Sequence, residues 1–152
     1  MNMQAAKRPS PLRRSEFKAF RDIPTRWMDV DIYGHVNNVQ YLSFFDTAVN
    51  AWYVDQGLLD TAKSKEIFLV VETGCQYFAE LVFPETISAG IRIEKIGSSS
   101  VIYTVGLFKP GVDTAAAQGR FVHVLVDRET RRPSPISGTL RDALSELLAE
   151  EV

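Results

Sequence analysis

The sequence is poor in the residues that build metal and cofactor centres. Its 152 residues include one cysteine, Cys75, and two histidines, His35 and His123. A single cysteine cannot form an intrachain disulfide, and these three side chains are too scattered to suggest a zinc site. Gly-rich phosphate loops, the dinucleotide fingerprint and the Gly-x-Ser-x-Gly motif are also missing. We therefore predict no metal and no cofactor, and the lone cysteine fits a cytoplasmic protein.

The chain also lacks an excess of one charge and a long apolar run. Seventeen basic residues face 19 acidic ones, for a net charge of -2, whereas a nucleic-acid-binding domain is usually strongly basic. No apolar run reaches the roughly 20 residues that cross a bilayer. We therefore predict neither a nucleic-acid partner nor a membrane span.

The first residues carry basic side chains without an apolar segment behind them, which does not resemble a secretory signal. Pro9 and Pro11 lie among these charges, so we predict a flexible tail over residues 1–16. The remaining residues, 17–152, are of a length typical of one domain. A content of 45% hydrophobic and 11% aromatic residues is enough for one packed core.

Hydrophobic periodicity predicts an α+β fold. Polar residues recur every three or four positions over residues 39–56 within an otherwise apolar segment, which indicates a helix covered on most sides. Asn37 or Asn38 can cap its start, and Gly57 can end it. Strand patterns cover residues 17–29, 67–83, 86–96, 101–108 and 119–127, and a C-terminal helix is predicted from Ser137 to residue 151.

Polar residues are densest over residues 26–38, where the first strand leads into the central helix. The first N–H groups of a helix lack partners and can stabilise an oxyanion, and a nearby carboxylate can attack a thioester or activate water. The alternative is that Asp31 simply caps the helix or supports a turn. A calcium loop is excluded, because Tyr33 and Gln40 occupy its fifth and twelfth positions.

One motif in this region is specific. The run Asp29-x-Asp31-x-x-Gly34-His35-Val36-Asn37-Asn38-x-x-Tyr41-Leu42-x-x-Phe45-Asp46 resembles the signature of the 4-hydroxybenzoyl-CoA thioesterase-like family of hot-dog proteins. The resemblance extends over residues 17–137. It implies a long antiparallel sheet wrapped around one central helix, and a homodimer or homotetramer with its active site at the subunit interface.

The resemblance also implies roles for individual residues. Asp31 becomes the catalytic carboxylate, as nucleophile or general base, and the backbone N–H of Asn38 becomes the oxyanion donor. Gly34 allows close approach of the backbone to the thioester, and His35 has a secondary role. The implied substrate contacts are Asn37, Tyr41, Asp46, Ser99 and Ser100. For Tyr41 core packing, and for Asp46 a hydrogen bond within the helix, remain alternatives.

The expected function is hydrolysis of an acyl-CoA thioester to a free acid and CoA. Two alternatives remain open: hydrolysis of an acyl group carried by acyl carrier protein, and binding of acyl-CoA without turnover. The sequence does not define the acyl group.

Overall fold

The computed structural model, which describes residues 9–58, 60 and 62–150, shows one curled sheet around a central helix. The elements in chain order are β1 (Ala19–Pro24), α1 (Asn38–Asp55), β2 (Glu66–Thr73), β3 (Gln76–Tyr77), β4 (Thr86–Ile96), β5 (Ser100–Phe108), β6 (Ala117–Asp127) and α2 (Gly138–Ser145). Short 3-10 turns cover Arg14–Glu16 and Trp27–Asp29. This arrangement confirms the predicted α+β class and the hot-dog architecture.

The sheet is antiparallel, with the strand order β1-β4-β5-β6-β2, and β3 pairs with the first residues of β6. Strands β1 and β2 form its two edges. Pro24 is the last residue of β1, opposite Thr86, and an edge strand tolerates a proline because the missing N–H removes no hydrogen bond from the sheet interior.

The core lies between α1 and the concave face of the sheet. Alternation along β4 buries Ile87, Ala89, Ile91 and Ile93, as a half-buried strand requires. The helix buries the residues that face them: Tyr41, Phe44, Phe45, Ala48, Val49 and Tyr53.

Both predicted ends of α1 are confirmed. Asn37 is the N-cap, and its Oδ1 accepts a hydrogen bond of 3.1 Å from the N–H of Val39. Gly57 has a φ of 67° just after the helix, which ends there with a bond from the Leu58 N–H to the Tyr53 carbonyl. Glycine adopts this left-handed conformation without a steric penalty.

The strand predicted over residues 67–83 is wrong as one element, because it divides at Gly74. There the Gly74 N–H donates to the Arg120 carbonyl. After β3, the N–H groups of Phe78 and Ala79 both donate to the Ala116 carbonyl, and the Leu81 carbonyl accepts from Val36. The second half of the run therefore passes beside the start of α1, where it forms a wall of the candidate site.

Packing at the N-terminus begins earlier than residue 17. The Leu12 N–H donates to Gln118 Oε1, while Gln118 Nε2 donates to the Ser10 carbonyl. The Arg14 N–H donates to the Asp113 carbonyl. Within the predicted tail, residues 1–8 lie outside the described residues, but residues 10–16 are fixed against the sheet.

The C-terminal helix is shorter than predicted. Ser137 is its N-cap residue, yet the Ser137 side chain makes no capping bond. The helix ends at Ser145, and the following backbone joins β4: the Ile93 N–H donates to the Leu147 carbonyl, and the Ala149 N–H to the Ile93 carbonyl. This pairing lies beside the bulge in β4, where the ladder with β5 is interrupted, so strand pairing replaces the last predicted turns.

Candidate active site

The site begins with a tight loop between the 3-10 turn and α1. Val30 and Val36 bridge across it, and the Asp31 N–H donates to the His35 carbonyl at 2.9 Å. Gly34 lies at the tip with a φ of 82°, and its N–H donates to the Asp31 carbonyl. The loop needs this left-handed residue to reverse direction within five residues, which is the reason for glycine here.

Asp29 anchors this loop from below. Its carboxylate is fully buried and accepts from the Arg26 N–H at 2.7 Å and from the Arg26 guanidinium at 2.9 Å. Its carbonyl accepts from the Asn37 N–H at 2.7 Å. The carboxylate of Asp29 therefore has a structural role on the Arg26 side of the loop, and its backbone carbonyl holds the Asn37 side.

Asp31 is half-buried, and it borders two open clefts. Its Oδ1 accepts from the Tyr33 N–H at 2.8 Å, an Asx turn that orients the carboxylate. A cleft of about 380 Å³ lies towards the start of α1, and one of about 560 Å³ lies towards Trp27, Ile32 and Phe83. The first cleft is lined by Asp31, His35, Val36, Asn38, Tyr41, Tyr77, Phe78, Ala79 and Glu80.

Asn38 lines this cleft and brings the first backbone N–H of α1 to its border. Asn38 is the first residue of α1, and within the described part of the chain no acceptor is bonded to its N–H. Unpaired N–H groups at a helix start carry the positive end of the helix dipole. A carboxylate and such a donor along one cleft can act together on a carbonyl group.

The opposite wall comes from residues 77–80, in which no sequence motif indicated Tyr77 or Glu80. The Tyr77 hydroxyl donates to the Asn38 carbonyl at 3.3 Å, and the ring lies edge-on to Tyr41 at 4.8 Å. His35 Nε2 lies 2.8 Å from Glu80 Oε2. The local pattern could not reveal these contacts, because they depend on how the chain folds back after Gly74.

Both tyrosines of the cleft are held in their protonated form. Burial raises the pKa of Tyr41, and burial together with the neighbouring Cys75 raises the pKa of Tyr77 to about 12. Their hydroxyls are therefore hydrogen-bond donors at neutral pH.

Among the described residues, no group of three or more His, Cys, Asp or Glu side chains could hold a metal ion.

The structure brings together Asp31, Gly34, His35, Asn37, Asn38 and Tyr41, as predicted from the motif. Tyr41 is also a core residue, since it is 4% exposed, so both of its predicted roles are compatible. Asn37 contributes as the helix cap.

Three predicted substrate contacts lie elsewhere within the chain. Asp46 is exposed two turns along α1, where its carboxylate accepts from Asn50. Ser100 pairs with Val124, whereas Tyr77 pairs with Ala117 at the other end of β6. Seven residues of strand separate these positions by about 23 Å. The carbonyl of Ser99, beside Ser100, accepts from Leu125, so this turn does not reach the cleft of its own chain.

Comparison with known proteins decides the family. The sequence profile of the thioesterase-like superfamily matches residues 25–144, which include the loop, α1 and most of the sheet. The chain belongs to the thioesterase-like superfamily. The resemblance to 4-hydroxybenzoyl-CoA thioesterase-like proteins is thereby confirmed, and so is the prediction of a thioester hydrolase.

Solved structures and curated proteins agree with this family. The PA5185 protein of Pseudomonas aeruginosa strain PAO1 is 49% identical, with a TM-score of 0.89 over 93% of this chain and 98% of that chain. The PA2801 protein of Pseudomonas aeruginosa, a putative thioesterase, is 27% identical, with a TM-score of 0.76 over 84% and 98%. The long-chain acyl-CoA thioesterase FadM of Escherichia coli is 23% identical over 83% of this chain and 96% of that protein.

Within the described residues, no helix has both the length and the apolar content needed to cross a membrane.

Proposed function

We propose that this member of the family hydrolyses acyl-CoA thioesters, with Asp31 as its catalytic carboxylate. The observation that carries the proposal is that the Asp31 carboxylate and the start of α1 line the same cleft. Hydrolysis needs a group that delivers an oxygen nucleophile and a donor that stabilises the oxyanion. The similarity to FadM, a long-chain acyl-CoA thioesterase, supports acyl-CoA as the substrate class. We retain the prediction that the enzyme acts in the cytoplasm.

Two routes use this geometry. In the first, Asp31 takes a proton from water while the water oxygen bonds to the thioester carbon. In the second, an Asp31 oxygen bonds to that carbon, and water then hydrolyses the mixed anhydride. In both routes the Asn38 N–H stabilises the negative carbonyl oxygen, the C–S bond breaks, and the CoA thiolate leaves and is protonated. Gly34 has no side chain that would obstruct a thioester approaching Asp31, and His35 lines the cleft beside Glu80.

We also propose that a second copy of the chain completes the site. Strand β2 is a sheet edge with exposed Leu69, Val70 and Val71, and the outer face of α1 exposes Val39 and Val54. Unpaired strand edges and apolar surfaces of this kind are usually covered by a partner. Ser99 and Ser100 remain candidate CoA contacts only for a partner subunit, because they lie far from the cleft of their own chain.

The test is thiol release from a panel of short-chain, long-chain and aromatic acyl-CoAs. We expect Asp31→Ala and Asp31→Asn to lower kcat by about a hundredfold or more, because each removes the base or nucleophile. The matched control is Asp142→Asn, which makes the same change at an exposed position on α2 and should leave kcat unchanged.

Other outcomes would redirect the assignment. If acyl-CoA binds but no thiol is released, the protein is a binding module. If only substrates loaded on acyl carrier protein turn over, the carrier-bound chain is the substrate. If the Asp31 variants hydrolyse as fast as the parent, another group performs the chemistry.

A further inference from the structure

The peptide groups around the proposed oxyanion donor are almost fully hydrogen-bonded. The Asn37 N–H donates to the Asp29 carbonyl at 2.7 Å, and the Asn37 carbonyl accepts from the Gln40 N–H at 2.9 Å. The Val39 N–H donates to Asn37 Oδ1 at 3.1 Å. The Asn38 N–H lies in the middle of this set, and among the residues that the structure describes no acceptor is bonded to it.

The remaining group is the Asn38 carbonyl, and Tyr77 holds it. The Tyr77 hydroxyl donates to this oxygen at 3.3 Å from across the cleft. The peptide group that joins Asn38 to Val39 therefore has a side-chain contact at each end, its N–H with Asn37 and its carbonyl with Tyr77, in addition to the backbone bonding of the helix. Tyr77 belongs to β3, and it pairs with Ala117 of β6. Its hydrogen bond therefore connects the start of α1 to the sheet.

This contact restrains the backbone that carries the donor. The Asn38 N–H belongs to the peptide group before Asn38 and the bonded carbonyl to the one after it, and both groups are attached to the Asn38 Cα, so holding the carbonyl limits movement of the N–H. Oxyanion stabilisation depends on donors already aimed at the position of the developing charge, and small displacements are costly to rate. We propose that Tyr77 is a positioning residue for the proposed thioesterase reaction, and that its hydroxyl aims the Asn38 N–H at the oxyanion. This inference rests on the proposed function.

The surroundings of Tyr77 suit this role. Its ring lies edge-on to Tyr41 at 4.8 Å with an interplanar angle of 74°, and Tyr41 is a fixed part of the core. The pKa of Tyr77 is raised to about 12, mainly by burial. The hydroxyl therefore keeps its proton at every pH at which a carboxylate-dependent hydrolysis would be measured.

The experiment is Tyr77→Phe in the full chain, which removes the hydroxyl and keeps the ring on Tyr41. We expect kcat to fall by about tenfold, less than the 10²–10³ that accompanies loss of an oxyanion donor itself. The affinity for an S-alkyl-CoA thioether should stay within about twofold of the parent, because this probe has no carbonyl oxygen to use the Asn38 N–H. The shape of the pH profile of kcat should not change.

Tyr103→Phe is the matched control. It removes a buried hydroxyl that contacts Tyr53 and His123 in the core, away from the cleft. We expect this variant to lower the melting temperature and to leave kcat unchanged. It therefore shows how the loss of a tyrosine hydroxyl affects activity when only stability is changed.

The results separate this inference from the function on which it rests. If Asp31→Asn abolishes turnover and Tyr77→Phe has the parent kcat, Tyr77 does not position the donor, although the proposed function stands. A Tyr77→Phe variant with weakened thioether affinity and normal kcat would make Tyr77 a substrate contact instead. If Asp31→Asn is fully active, another group performs the chemistry and the assignment of Asp31 fails, whereas absence of thiol release from the parent would overturn the proposed function.

Discussion

At the scale of single residues, His123 is a neutral imidazole sealed in the core. It is 1% exposed, its ring stacks on Phe68 at 5.1 Å, and its Nδ1 lies 3.3 Å from the Tyr103 hydroxyl. Burial lowers the pKa of His123 to about 4. The histidine of the unfolded chain therefore binds a proton more readily than His123 of the folded chain. As a result the folded state keeps its full stability above the pKa of the unfolded histidine and loses stability as the pH falls from there towards 4.

We predict that the free energy of unfolding falls by about 1.3 kcal/mol between about pH 7.5 and pH 5.5 through His123 alone. Denaturant unfolding at each pH measures it. His123→Gln should remove this part of the slope, whereas His35→Gln, at the other histidine of the chain, should retain it. A slope that disappears with His35→Gln would contradict the assignment.

Single residues also show what local pattern could predict. The local pattern predicted the cap at Asn37, the helix end at Gly57 and a turn at Asp31, because each acts through neighbours within five residues, whereas the site role of Asp31 was implied by the family resemblance. Tyr77 and Glu80 were missed, because their partners Asn38 and His35 are about 40 residues away in the chain. Only tertiary structure brings those pairs together.

At the scale of elements, the division of the predicted strand at Gly74 has a steric cause. A Cβ built on Gly119 of β6 would lie 1.9 Å from the Gly74 carbonyl oxygen and 2.5 Å from the Phe45 ring. The bend after β2 can therefore cross β6 only where β6 has no side chain. Alternating hydrophobicity predicts strands well, but it carries no information about where one strand crosses another. The pattern over residues 67–83 therefore predicted one continuous strand.

Gly119→Ala should lower the free energy of unfolding by about 3 kcal/mol, at the upper end of overpacking effects, because a backbone oxygen must move. Chemical denaturation measures the loss. The control is Gly74→Ala, since a Cβ there meets nothing within 4 Å, and its stability should be unchanged or slightly higher. Equal stability of both variants would show that the bend adjusts freely.

At the scale of the whole molecule, a single chain leaves apolar residues of α1 and one edge of the sheet exposed. The predicted helix was apolar over most of its circumference, and the sheet covers only part of it: Val39 and Val54 are 63% and 54% exposed. Strand β2 is also an open edge, since it is the last strand in the sheet order. The sequence pattern therefore predicted more complete burial of α1 than one chain provides, which agrees with the proposal that a second copy covers its outer face.

If β2 joins two copies, a charge on this edge should separate them, because a lysine brought into a dry strand pair must lose its hydration. We predict that the parent sediments as a dimer or larger assembly, and that Val71→Lys weakens association by about tenfold or more. Val112→Lys, on the turn after β5, is the matched control and should assemble normally.

Analytical ultracentrifugation measures association, and thiol release from the same samples measures turnover. If a partner completes the site, turnover should fall as association weakens. A monomeric parent with full turnover would show that one chain contains the whole site.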